Sequence, residues 1–138
     1  MSRPTSWTTR STPWNWVIHS RRWQRLERGE IYLTAPNLPD PRRRRAFVVV
    51  SRPELIASRY SSVLCVPLYT SYVGTPTEVA LDEHSGLKRL SYARCDELTS
   101  VPRTRLTQFV GSVPAVKLRE LGRAMAVALD IQASDLSD

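Results

Sequence analysis

Four consecutive arginines, Arg42, Arg43, Arg44 and Arg45, run directly into Ala46-Phe47-Val48-Val49-Val50-Ser51. Valine and phenylalanine pack well on a pleated surface, so Phe47 to Val50 is predicted to be a buried central strand rather than a helix. The guanidinium groups cannot follow that strand inward, because an unpaired buried charge costs several kcal/mol at least. They must stand at its entrance, held by its stiffness. A rigid cluster of planar, permanently charged forks suits carboxylate or phosphate. Taken alone, the run also fits a solvated basic loop.

The chain of 138 residues is long enough for one domain with a single sizeable core. Its net charge is +7 and arginine supplies nearly all of it, since Lys88 and Lys117 are the only lysines. That balance favours polyanions, nucleic acid above all, and also fits an acidic protein partner. No apolar run approaches the roughly 20 residues that span a bilayer, and the N-terminus shows no continuous apolar signal region, so a cytoplasmic protein away from the membrane is expected. Cys65 and Cys95 lack the spacing of a zinc site and are predicted to be two buried thiols. His19 and His84 lie in polar surroundings and read as surface residues. No metal or cofactor is expected: the chain carries no P-loop, dinucleotide glycine fingerprint, His-Glu-x-x-His or Gly-x-Ser-x-Gly segment.

Residues 1–26 hold all four tryptophans among many Ser, Thr and Arg residues. They read as an extension, partly disordered or a short basic helix from Trp14 to Leu26. Its Trp and Arg side chains could also stack on bases and hold phosphates. Residues 27–132 form the expected domain and 133–138 an acidic tail. Within the domain, Arg28 to Leu33 is a short strand after a glycine, and Thr34 to Pro41, with its three prolines, is a loop. Glu54 to Tyr60 offers a helical turn or more. Val63 to Leu68 is an apolar strand in which Pro67 suggests an edge or bulge, and Glu78 to Leu81 is another. Ser91 to Leu98 alternates as a strand with Tyr92, Arg94 and Asp96 on one face. Val101 to Leu106 reads as a connection and Phe109 to Ser112 as a brief last strand.

Helix is clearest from Pro114 to about Ile131, with Pro114 at the first position and Ser112 a possible cap. Leu118, Leu121, Met125, Ala128 and Leu129 make one apolar stripe, and Gly122 permits close packing. Several short strands followed by one amphipathic helix predict a mainly β (α+β) fold, a small curled antiparallel sheet or barrel capped by that helix.

Polar and charged groups remain at the strand mouths: Arg45, Thr70, Ser71, Arg94 and Asp96. Metal-independent RNA cleavage needs little more, since RNA brings its own 2′-hydroxyl nucleophile. The protein must supply a base, an acid for the leaving 5′-oxygen, and positive charge for the phosphorane.

Arg28-Gly29-Glu30-Ile31-Tyr32-Leu33, the arginine-led Val48-Val49-Val50 strand, Val66-Pro67-Leu68 with Thr70-Ser71, Thr77-Glu78-Val79, Arg94-Cys95-Asp96 and the closing helix occur in this order. The series, covering about residues 27 to 131, resembles the MazF/PemK/Kid toxins of type II toxin–antitoxin systems. The resemblance implies a small SH3-like antiparallel β-barrel (PemK/CcdB-like) with a C-terminal helix and a homodimer. It further implies sequence-specific cleavage of single-stranded RNA without metal, and neutralisation by a cognate antitoxin whose acidic C-terminal segment covers the RNA groove. Carried over residue by residue, the catalytic arginine falls on Arg45 and the basic residue and carboxylate on Arg94 and Asp96. The family threonine falls on Tyr69 without a gap, with Thr70 one residue later. A one-residue shift along a strand reverses the face, so either a bulge restores Thr70 to the site or Tyr69 serves instead. Ala46 stands where the family often has proline, and the Thr34 to Pro41 loop is shorter than usual and lacks a Gly-x-Glu-Gln element. Arg42, Arg43, Arg44, Tyr69 and Ser71 are the expected RNA-binding residues.

Two other functions fit a chain of this kind. One is a non-cleaving RNA-binding or regulatory relative of the same fold. The other is a gyrase poison like the fold-related CcdB toxins. These depend on a C-terminal Trp-Gly-Ile-like end, whereas this chain finishes Ser134-Asp135-Leu136-Ser137-Asp138.

Overall fold

A computed structural model describes residues 25–34 and 45–137. Residues 1–24 of the tryptophan-rich arm, most of the proline loop, and Arg42, Arg43 and Arg44 lie outside the described residues. Seven strands, β1 (Glu30–Thr34), β2 (Ala46–Val49), β3 (Ser62–Tyr69), β4 (Glu78–Leu81), β5 (Ser91–Arg94), β6 (Thr99–Pro102) and β7 (Leu106–Ser112), are joined by antiparallel pairings. The sheet runs β4-β5-β3-β2-β1-β7, with β6 also paired to β3. A short helix, α1 (Pro53–Ile56), follows β2, and a long one, α2 (Ala115–Ala128), closes the domain. Mainly antiparallel sheet with one substantial C-terminal helix is the architecture expected from the sequence.

The run after the arginines is continuously apolar because both faces of its strand are covered. Val48 and Val50 pack with Ile31, Val66 and Leu68 against Leu121 and Ala124 of α2. Val49, between them, points the other way, into a second core with Tyr32, Val63, Cys65, Val101, Leu106, Ile56 and Leu26. Period-2 alternation thus assigns successive residues of β2 to opposite cores. Burying one Leu121-sized side chain stabilises by about 1.5–3 kcal/mol, and Leu121 is fully buried. Both thiols are buried and unpaired, and burial raises Cys65 to about 12 and Cys95 to about 11.

Three local expectations are corrected. Pro67 lies inside the sheet rather than at an edge: it pairs with Phe47 of β2. On its other side β6 stops at Cys65 and β5 begins at Leu68. The missing N–H therefore falls where β3 changes partners and no ladder bond is lost. The last strand is longer than predicted, and the expected connection from Val101 to Leu106 begins inside β6 and ends on the first residue of β7. Pro114 caps α2 from outside, with extended backbone. The helix ends at Ala128, which leaves Leu129 exposed, off the stripe, while Gly122 has open space beside it rather than a close neighbour. Among the described residues no helix is long and apolar enough to cross a membrane.

Candidate active site

Strand register gathers the site. Phe47 pairs with Pro67, so Arg45, two residues before Phe47, lies across from Tyr69 and on the same face. Tyr69 pairs with Tyr92, and Arg94 pairs with Glu78. Arg45, Tyr69, Tyr92, Arg94 and Glu78 therefore share one face of four adjacent strands, the face away from α2.

Arg45 is fixed by a hydrogen bond from Nη1 to the Leu68 carbonyl at 3.1 Å. Its Cζ lies 4.0 Å from the centre of the Tyr69 ring, and that of Arg94 lies 3.7 Å from the same centre. Two guanidinium groups cannot crowd so closely onto one face, so the ring is sandwiched between them. Each contact is a cation–π interaction of about 0.5–2 kcal/mol. Arg94 is held further by Ser71, whose Oγ accepts from Nη2 at 2.8 Å. It also lies 3.7 Å from Glu78 Oε2 through Nε and 3.6 Å from Glu97 Oε2 through Nη1. The Tyr69 hydroxyl donates to Glu97 Oε1, closing a ring of interactions.

Glu78 anchors the arrangement from below. Its side chain is only 2% exposed. The carboxylate accepts N–H bonds from Val73 at 2.9 Å, Gly74 at 2.6 Å and Thr75 at 3.2 Å. Gly74 has φ of 94°, a left-handed conformation that turns successive N–H groups inward. Burial alone would raise the Glu78 pKa, but these donors and Arg94 outweigh it and hold the carboxyl below its usual value. Tyr69 is shifted upward, by burial first and then by its bond to Glu97; Arg45 and Arg94 oppose the shift.

The predicted residues divide. Arg45, Tyr69, Ser71 and Arg94 come together as described. Thr70 lies exposed just past the end of β3, and its register shows no bulge that would return it to the Tyr69 face. Asp96 does not continue the Arg94 face, because β5 ends at Arg94 and Cys95–Glu97 form a 3₁₀ turn. Asp96 accepts instead from the Thr77 hydroxyl at 2.6 Å. Alternation continues unbroken through Tyr92, Arg94 and Asp96, which conceals the turn. Glu97 is a site residue that the sequence did not suggest, and Thr77 and Glu78 entered only as part of a family segment, with no role at the site. A β4–β5 hairpin register would have found Glu78, and the three-residue spacing of Arg94 and Glu97 would have found Glu97 once the turn was known. Beside Arg45 opens a cleft of about 340 Å³ lined by Thr34, Phe47, Ser100, Pro102 and Arg105.

Residues 27–129 match the family model of the PemK-like, MazF-like toxin of type II toxin-antitoxin system. The chain belongs to this family. It is 28% identical over 87 residues to Endoribonuclease MazF3 of Mycobacterium tuberculosis, an alignment covering 63% of this chain and 84% of that protein. The structure of Mycobacterium tuberculosis toxin MazF-mt6 is similar, with a TM-score of 0.65 and 24% identity, over 75% of this chain and 98% of that one. An endoribonuclease solved in complex with its cognate antitoxin, from a mycobacterial species, gives a TM-score of 0.68 and 21% identity, over 78% and 97%. The fold of this MazF-like toxin is thus that of solved family members.

Proposed function

We propose that this toxin is a metal-independent endoribonuclease that cuts single-stranded RNA through attack of the 2′-hydroxyl on the neighbouring phosphate. The carrying observation is the pair of guanidinium groups, Arg45 and Arg94, held on either side of Tyr69. A phosphorane develops negative charge on oxygens that a fixed pair of planar donors can meet without reorganisation. Tyr69 fills the place of the family threonine and sets the spacing of the two arginines. The Cys95–Glu97 turn brings the Glu97 carboxylate beside Arg94. Ser71 orients Arg94. Arg42, Arg43 and Arg44, adjacent in sequence to Arg45, are assigned to flanking phosphates.

The same basic face suits the acidic C-terminal segment of a cognate antitoxin, and one structural neighbour is an endoribonuclease in complex with its cognate antitoxin. A homodimer and a cytoplasmic location complete the reading, both taken from the family.

The test is incubation of the protein with a long RNA in EDTA, with the cut ends mapped. Discrete cleavage leaving 5′-hydroxyl ends is expected, and cleavage that strictly requires magnesium would sink the reading. Arg45→Ala should cost roughly 2.7–4 kcal/mol of transition-state stabilisation, about 10²–10³-fold in kcat, as for one lost oxyanion donor.

A further inference from the structure

We propose that Glu97 is the proton-accepting carboxylate of the cleavage site and Tyr69 its proton-donating partner, with Asp96 held apart by Thr77. The proposal rests on the endoribonuclease reading above and assigns that site's acid and base.

The argument begins where β5 ends. A 3₁₀ helix has three residues per turn, so side chains three apart eclipse one another. Arg94 leads into the turn Cys95–Glu97, so Glu97 comes back over Arg94. Its Oε2 stands 3.6 Å from Arg94 Nη1. Asp96 falls on a different side of the turn, where the buried Thr77 donates to it at 2.6 Å. The turn itself is pinned to the start of β4 by the bond from Cys95 N–H to the Thr77 carbonyl at 3.1 Å. Two adjacent carboxylates thus take separate roles: one buttresses the turn, and the other reaches the arginines that would hold the phosphate.

Glu97 remains about half exposed, its side chain at 47%, so an incoming hydroxyl can reach it. Its other oxygen accepts from the Tyr69 hydroxyl. The charged groups around this pair are Arg45 before β2, Arg94 on β5 and Glu78 on β4, with Tyr92 beside Tyr69 in the sheet. The proton balance then closes within the pair. Glu97 takes the 2′-hydroxyl proton as the 2′-oxygen bonds to phosphorus. The bond from phosphorus to the 5′-oxygen breaks, and the Tyr69 hydroxyl protonates that oxygen. The products are a 2′,3′-cyclic phosphate and a 5′-hydroxyl. The Tyr69 phenolate, flanked by two guanidinium groups, recovers its proton from the Glu97 carboxylic acid across their hydrogen bond. The site resets without an outside reagent.

The experiment compares the full-length wild type with Glu97→Gln, Tyr69→Phe and Asp96→Asn, with pH–rate profiles and RNA affinity measured at fixed salt. Glu97→Gln should lower kcat about 10²–10⁴-fold and abolish the acidic limb of the profile, with RNA affinity within a few-fold of wild type. Asp96→Asn should lose less and keep that limb. Tyr69→Phe should be slow on ordinary RNA, yet recover on a substrate whose 5′-leaving oxygen is replaced by sulfur, which departs without an acid. Glu97→Gln should not recover on that substrate. A wild type that cuts, with Glu97→Gln retaining the acidic limb or Asp96→Asn losing it, overturns the assignment alone. A wild type that leaves RNA intact in EDTA overturns the assignment and the endoribonuclease reading together.

Discussion

Arg94 stands 3.7 Å from the centre of the Tyr69 ring, as near as the Glu78 and Glu97 carboxylates come to its nitrogens, at 3.7 and 3.6 Å. An aromatic ring is thus as intimate a neighbour of this guanidinium as either acid. A ring in this position keeps two like charges on one small surface without a counter-ion between them.

Tyr69→Ala should therefore damage the clamp more than the loss of one hydroxyl can. Two cation–π contacts of about 0.5–2 kcal/mol each disappear, so the urea midpoint should fall by the equivalent of about 1–4 kcal/mol. Affinity for RNA should weaken with it. Tyr69→Phe retains the ring and should bind RNA nearly as wild type does. Equal RNA affinity for the Phe and Ala variants would show that the ring does not space the arginines.

How much of this was legible in the sequence depended on periodicity. The strand after the arginines could be read because Phe47 to Val50 is apolar throughout, and two-sided burial is what such a run requires. Arg45 could be placed because a charge cannot enter that strand. Asp96 was misplaced because a 3₁₀ turn replaces the strand after Arg94 without disturbing the alternation; the bonds that pin it, to Thr77, come from the turn before β4, far back in the chain. Glu78 could not be recognised as a buried anchor because its donors are backbone N–H groups, which carry no sequence signature. Arg103 shows the reverse limit: composition assigns arginine to the surface, yet this one is interior.

Arg103 is 4% exposed. Its Nε donates to the Tyr60 carbonyl at 2.5 Å, and its Nη2 donates to those of Leu55 at 3.0 Å and Ser58 at 3.2 Å. The planar fork ties the end of α1 and the following turn to the 3₁₀ turn (Arg103–Arg105) after β6, and burial lowers its pKa from the usual value. Arg103→Ala leaves three carbonyls short of a charged donor, and a loss of about 3–5 kcal/mol in urea unfolding is expected. Lysine lacks the fork and should restore less than half of that. Arg105, two residues on and exposed, should change stability by less than about 0.5 kcal/mol when cut to alanine. Similar losses at the two positions would overturn the distinction between them.

Acid should loosen the site from the side of Glu78. Its folded pKa lies below the ordinary value of 4.5, so folding favours the ionised form. The resulting stability is fully present above about pH 4.5 and is lost as pH falls through the lower, folded value. Glu78→Gln removes the titration while keeping one acceptor. The variant should melt lower than wild type at neutral pH, and the gap should close on acidification below pH 4.5. Asp82, also shifted downward by the His84 N–H and ring, is present in both proteins and cancels in the difference. Amide exchange at Val73, Gly74 and Thr75 reads the same contact locally. It should quicken in Glu78→Gln at neutral pH, and in wild type only as the carboxylate takes up its proton. A melting gap that stays constant from pH 7 to pH 3 would mean that Glu78 holds the turn by shape alone.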